Sequence, residues 1–175
     1  NITMNRQDNT FNATIPKQPY GTQVQYKVYI NDTNGNWAQS DIYSYIVGDF
    51  IPPEITAIQW EPTCPYPYVP SSTTRPNEPV SITANIKEPT NASGLAKIQL
   101  SYKADTGKWW NTSMTYNSTS DLWTTTIPGQ TNNTHIVEFL IEAHDNAGNI
   151  AISPTYSYET KPLISGDING DGVVD

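Results

Sequence analysis

The sequence predicts an all-β protein with almost no helix, and three observations carry this prediction. Apolar and polar residues alternate in several segments, most clearly over Val80–Ile86, which is typical of a half-buried strand. Turn-forming residues recur roughly every 8–12 residues. No stretch has a convincing 3.6-residue period. Together these features predict β-sandwich modules.

Seven strands are predicted in the best-defined part of the chain. They are Glu54–Trp60, Val80–Ile86, Ile98–Tyr102, Trp109–Thr115, Leu122–Ile127, His135–His144 and Ser153–Glu159. The first follows Pro52-Pro53, which fixes φ and ends any strand before it. A Pro-rich insertion, Thr63–Pro76, separates the first two strands and is expected to run as an extended surface loop. It contains the single cysteine, Cys64, expected to be an inert thiol, with pairing to another chain as the alternative.

An internal repeat divides the chain into modules. Val24–Trp37 matches Val137–Ile150 at an offset of 113 residues, and Met4 corresponds to Met114 with small gaps. We therefore expect residues 1–50 to be the C-terminal half of one module and residues 51–161 to be a complete module. Residues 162–175 are then a linker and the start of a calcium loop.

The composition excludes several function classes. Only 15% of the 175 residues are charged and the net charge is −8, whereas Thr, Asn and Ser number 22, 17 and 13. Nucleic-acid binding is not expected, because phosphate contacts need clustered Lys and Arg. No apolar run reaches ~18 residues, so no membrane span is expected in this chain. The first residues lack a signal peptide's pattern, so we expect any export signal to lie outside the chain or to have been removed.

The strand pattern resembles the immunoglobulin-like or fibronectin type III-like modules of bacterial and archaeal surface and secreted proteins. The residues that carry the resemblance are Pro52-Pro53-Glu54-Ile55, Ser93-Gly94-Leu95, Val137–Ala143 and Asp145–Asn149. The resemblance covers nearly all of residues 1–161 and implies a sandwich that acts as a spacer, a stalk or an adhesive unit. A fold of this kind does not fix a function by itself.

The C-terminal residues match the first nine positions of an EF-hand-type calcium loop. Asp167, Asn169, Asp171, the carbonyl of Val173, and Asp175 would supply oxygen ligands, and Gly172 would take the turn. This segment resembles the opening of a type I dockerin, which implies calcium as a cofactor and a cohesin-like receptor as a partner. The sequence stops before position 12, so the ligand set is incomplete, and a Gly/Asp-rich linker tail is the alternative.

Two acidic loops occupy equivalent places in the repeat. Asp32–Asn36 and Asp145–Asn149 each lie between two predicted strands. We expect hairpin turns closed by Asx hydrogen bonds, with Gly35 and Gly148 at positive φ, and a metal site only as the minority alternative.

The number of N-x-S/T sequons is about twice the roughly three that composition alone predicts, which suggests a glycosylated surface. The acceptor residues are Asn1, Asn12, Asn31, Asn91, Asn111, Asn117 and Asn132. Simple Asn and Thr richness is the alternative explanation.

Several aromatic residues raise the possibility of a carbohydrate-binding surface. They are Tyr102, Trp109, Trp110, Tyr116 and Trp123. Because adjacent strand residues point to opposite faces, Trp109 and Trp110 are expected to divide between core and solvent. We expect most of these rings to lie in the core, with one or two exposed.

No catalytic site is expected. Neither His135 nor His144 has a candidate nucleophile nearby in a strained turn. Glu138 and Glu142 share a strand face but are ~13 Å apart along it, wider than the carboxylate pairs of glycosidases.

The sequence therefore predicts a non-catalytic extracellular structural or adhesive module, a repeat of a surface protein or filament. A neighbouring chain could complete the half module by strand donation, so self-association into a filament or surface array is one expectation. The alternative is a carbohydrate-binding or spacer module of a secreted, dockerin-bearing polysaccharide-degrading enzyme, with glycans as partners.

Overall fold

The computed structural model describes residues 1–62, 73–131 and 134–160, and no helix occurs within these ranges. Accordingly, no helix in the part of the chain described is long and apolar enough to cross a membrane. The residues cluster into two compact units. Unit 1 comprises residues 1–49 with Thr90–Ser93, and unit 2 comprises the described residues within 50–89 and 94–160.

Unit 1 consists of short antiparallel strands. They are β1 (Asn5–Gln7), β2 (Thr10–Asn12), β3 (Gln23–Tyr26), β4 (Tyr29–Asn31), β5 (Trp37–Gln39) and β6 (Tyr43–Ile46). β1 and β2 form a hairpin, β3 pairs with β6, and β4 pairs with β5. Most side chains of these strands are exposed.

Unit 2 is a two-sheet sandwich. Its strands are β7 (Glu54–Pro62), β8 (Thr73–Thr74), β9 (Val80–Lys87), β10 (Leu95–Ala104), β11 (Trp110–Ser113), β12 (Thr115–Asn117), β13 (Leu122–Ile127), β14 (Ile136–Asp145), β15 (Ile150–Ile152) and β16 (Tyr156–Thr160). One sheet has the strand order β12-β13-β9-β7. The other has the order β11-β10-β14-β16-β8, and β15 also pairs with β14. Only β8 and β16 pair in parallel among these strands. The predicted all-β sandwich class is confirmed.

The core of unit 2 lies between the two sheets. From the first sheet β9 contributes Val80, Ile82 and Ala84, all without solvent exposure. β14 faces them with alternate residues that are likewise fully buried: Val137, Phe139, Ile141 and Ala143. The alternation that predicted these strands is therefore the alternation that fills the core.

The predicted strand Trp109–Thr115 is in fact two strands in different sheets. β11 pairs with β10, whereas β12 pairs with β13 of the other sheet. The change of sheet occurs at Met114, whose side chain is buried and whose N–H donates to the Ile98 carbonyl at 3.1 Å. A buried corner residue of this kind lets one segment contribute to both layers.

The predicted strand Ser153–Glu159 begins later, at Tyr156, and a separate strand, β15, precedes it. The interruption arises because the Ser153 hydroxyl takes the place of a strand partner. It accepts the Ile141 N–H at 2.9 Å and donates to the Pro154 carbonyl at 2.8 Å. Pro154 itself has no N–H to donate to a ladder.

Candidate functional site

The sequence repeat is also a repeat of hydrogen-bonded structure. In unit 1, β3 pairs with β6 from Gln23↔Ile46 to Tyr26↔Tyr43. In unit 2, β14 pairs with β16 from Ile136↔Glu159 to Phe139↔Tyr156, which is the same register displaced by 113 residues. The β4–β5 and β14–β15 pairs are related in the same way.

Both copies are closed by the same Asx turn, as predicted. Asp145 Oδ1 accepts the backbone N–H groups of Ala147 and Asn149 at 2.9 and 2.8 Å, and the Asn149 amide donates to Oδ2 at 2.7 Å. Asp32 makes the equivalent bonds with Asn34 and Asn36. The glycines of the two turns have φ of 84° and 93°. These carboxylates are therefore occupied in closing hairpins.

The pKa values of the two aspartates reflect these bonds. Burial by itself raises the pKa of Asp145, but the hydrogen bonds from Asn149, Ala147 and Gly148 outweigh it and the net pKa is lowered. The pKa of Asp32 is lowered chiefly by the side-chain hydrogen bond from Asn36. Hydrogen bonds to a carboxylate favour its charged form.

The main difference between the copies is solvent exposure. Ile141 is fully buried, whereas its counterpart Val28 is 38% exposed. Tyr158 is 3% exposed, whereas its counterpart Tyr45 is 44% exposed. Six residues of unit 1, here called the open face, are the counterparts of Val137, Phe139, Ile141, Ala143, Tyr156 and Tyr158. They are Val24, Tyr26, Val28, Ile30, Tyr43 and Tyr45.

These residues lie on or beside the β3–β6 and β4–β5 pairs, which are separate two-stranded sheets. A group of apolar and aromatic side chains of this size rarely remains in water, and such surfaces mark interaction sites. Only Val24 of the open face is half-buried; the other five are exposed. The Tyr26 and Tyr43 rings stack with centroids 5.5 Å apart, as the Phe139 and Tyr156 rings do at 5.7 Å. The open face is therefore preorganised like the buried one, and it is the principal candidate functional surface.

A second exposed aromatic group lies on the opposite side of β4 and was missed from the sequence. Tyr29 and Trp37, with Ala38 and Gln39, line an open cavity of about 470 Å³. The Lys27 ammonium lies 4.8 Å from the centre of the Tyr29 ring. The cross-strand placement of Trp37 beside Asn31 follows from the register of the repeat, so the repeat itself contained the signal.

The aromatic residues singled out in unit 2 are distributed differently from the prediction. Trp109 and Trp110 are both exposed, and Tyr116 is exposed as well. Trp110 lies in β11 at the edge of its sheet, and the Lys103 ammonium is 5.1 Å from the Trp109 ring. Trp109 precedes β11 and lies in no strand, so the predicted division of the two rings between core and solvent does not apply to it. Only Tyr102 and Trp123 pack against the core.

The predicted glycosylation residues within the described ranges are all exposed. They are Asn1, Asn12, Asn31, Asn91, Asn111 and Asn117. Asn132, Cys64 and the calcium-loop residues lie outside the described residues; the loop residues are Asp167, Asn169, Asp171, Val173 and Asp175.

The titratable groups considered for catalysis make local pairs. Glu138 forms an ion pair with Lys103 at 2.6 Å, and Glu142 contacts the His144 ring. The backbone N–H of His135 donates to the Asp105 carboxylate at 3.1 Å, and that of Ile136 does so at 3.0 Å. These bonds lower the pKa of Asp105, the bond from Ile136 most of all.

No protein-family model matches the chain, and no curated protein is significantly similar to it.

Proposed function

We propose that the chain is a non-catalytic extracellular structural or adhesive module of a surface protein or filament, built from immunoglobulin-like sandwich units in tandem. The observation that carries the proposal is the hydrogen-bonded repeat. The same strand register and Asx turn recur at an offset of 113 residues, while residues outside that framework differ. Repeating a scaffold in this way is typical of structural arrays.

The strand order supports the immunoglobulin-like assignment. The order β7-β9-β13-β12 corresponds to strands A, B, E and D of such a sandwich, and β10, β14 and β16 correspond to C, F and G. The β8–β16 pair joins the early part of unit 2 to its last strand through Glu159↔Thr73 and Thr160↔Thr74. This strand pair is suited to resist a pulling force applied between the two ends of the module.

An extracellular location is part of the proposal. It is supported by a polar, weakly charged composition and by the exposure of the described sequon residues. A glycan attached at any of them would extend into solvent without displacing the core. Calcium binding by the Asp167–Asp175 loop and docking onto a cohesin-like receptor remain proposals from the sequence.

Stretching a single chain between its ends tests the structural role. The 107 residues of Glu54–Thr160 would extend to about 350–390 Å. We expect unit 2 to unfold in one discrete step of this length less the distance between Glu54 and Thr160 in the folded unit, and to refold on relaxation, since its core is a single cluster. Thr73→Pro, which disturbs the β8–β16 pair, should lower the unfolding force. Ser118→Pro, at the first position of the turn after β12, serves as a distant control. Gradual lengthening without a step contradicts the proposal.

Carbohydrate binding is the second candidate function, and the exposed pair Tyr29 and Trp37 favours it. Sugar rings pack against exposed aromatic faces, and the amide of Gln39 beside the cavity supplies polar contacts. We expect titration with soluble oligosaccharides to quench tryptophan fluorescence, and Trp37→Ala to abolish the effect. Trp110→Ala is the matched control, because Trp110 is comparably exposed but lies in unit 2. No binding by the unmodified chain removes this candidate.

A further inference from the structure

The open face consists of the residues of unit 1 whose counterparts are buried in unit 2. The two copies agree in register, in their Asx turns and in their stacked ring pair. They differ in that Phe139 is fully buried, whereas its counterpart Tyr26 is 42% exposed. The chain thus contains both a covered and an uncovered example of one surface.

The strand edges beside the open face are also incomplete. In unit 2, β14 pairs along its far edge with β10 from Leu95↔Asp145 to Ala104↔Val137. β13 likewise pairs with β9 from Trp123↔Ala84 to Ile127↔Val80. The β1–β2 hairpin corresponds to the β12–β13 hairpin, so β2 is the counterpart of β13. Within the described residues, β2 and the counterparts of β14, β3 and β4, have no second partner on those edges. Unpaired edges of this kind are templates for strand addition.

Unit 2 shows what kind of segment both covers the apolar side chains and pairs with the strand edges. β9 covers the buried face with Val80, Ile82 and Ala84, and β10 supplies Ile98 and Leu100 while pairing with β14. One polypeptide segment, residues 54–104, therefore both covers the face and completes the edges. The same open face of a second copy would cover apolar side chains but leave the backbone edges unpaired.

We propose that the open face of unit 1 binds a β-sheet segment with the chemistry of residues 54–104, in which alternate Val, Ile, Ala and Leu side chains face inward. The inference rests on the proposed structural function and names a binding partner for unit 1. One added strand pairs with β3 and β4, as β10 does with β14. Another pairs with β2, as β9 does with β13. The side chains between them bury Tyr26, Val28 and Tyr45.

A fusion to the full chain tests this inference. A copy of residues 50–110 is placed directly before Asn1, so that Met4 takes the place that Met114 has in unit 2. Hydroxyl-radical footprinting then reports the exposure of each tyrosine. We expect labelling of Tyr45 to fall about tenfold, from the level of a ring 44% exposed towards that of Tyr158 at 3%. Tyr29, on the other side of the sheet, should keep its labelling.

A matched control carries Ile82→Asp and Leu100→Asp in the added copy only, and should leave Tyr26 and Tyr45 as reactive as in the unfused chain. Equal labelling of Tyr45 in the fused and unfused chains overturns the inference. Protection of Tyr45 in the unfused chain that grows with its concentration while Tyr158 stays protected also overturns it, because the open face of a second copy, and not its residues 54–104, would then cover the face. Either result leaves the discrete unfolding step of unit 2 intact, and only loss of that step removes the proposed function.

Discussion

Truncation of equivalent residues in the two copies of the repeat should destabilise the buried copy much more than the exposed one. Ile141→Ala removes three carbons from a side chain without solvent exposure. At about 0.8 kcal/mol per methylene the transfer cost is about 2.4 kcal/mol, and the cavity left behind raises the loss to about 3–4 kcal/mol. Val28→Ala changes the same position of unit 1, where the side chain is 38% exposed, and should cost less than about 1 kcal/mol.

Urea titration followed by tryptophan fluorescence measures this difference. The Trp60 ring lies 5.5 Å from that of Phe139, so it reports the core of unit 2. We expect Ile141→Ala to lower the midpoint of this transition strongly and Val28→Ala to leave it in place. Equal shifts for both variants, or a loss below about 1 kcal/mol for Ile141→Ala, would refute the reasoning that only unit 2 has a covered core.

Three further predictions concern the turn and the edge of unit 2. Asp145→Ala should destabilise it by about 2 kcal/mol in urea titration, because the N–H groups of Ala147 and Asn149 lose their acceptor; no loss contradicts this. The lowered pKa of Asp145 stabilises the fold above its ordinary value near 3.8, and this contribution is lost as pH falls through the folded pKa. Asp145→Asn should therefore flatten the decline in urea midpoint between pH 5 and pH 3; an unchanged slope contradicts this. Trp110→Ala should shift the thermal midpoint by less than about 2 °C, because its indole is 63% exposed; a larger shift contradicts this.

The sequence predicted those elements that local patterns determine. β13 has the predicted bounds Leu122–Ile127, and the Asx turns follow from Asp, Asn and Gly at fixed spacing. The break at Met114 was not predictable in this way, since Trp109–Thr115 reads as one Thr-rich strand. Only tertiary packing decides that its halves belong to different sheets.

The candidate surface was predictable in part. The predicted half module implied an apolar face without its cover, and the registers of β3 with β6 and of β4 with β5 identify residues on that face. The exposure of both Trp109 and Trp110 was not predictable, because alternation assigns faces only within a strand and Trp109 lies before β11. Predicting the Tyr29–Trp37 pair would have required the cross-strand register of β4 and β5.

Comparing the reactivity of Tyr45 and Tyr158 in the unmodified chain is the most direct test of whether unit 1 exposes the surface that unit 2 buries. The two tyrosines occupy the same position of the repeat, paired with Val24 and Val137. Hydroxyl-radical footprinting of a dilute sample should label Tyr45 about tenfold more than Tyr158, in line with exposures of 44% and 3%. Equal protection of the two rings would contradict this description of unit 1.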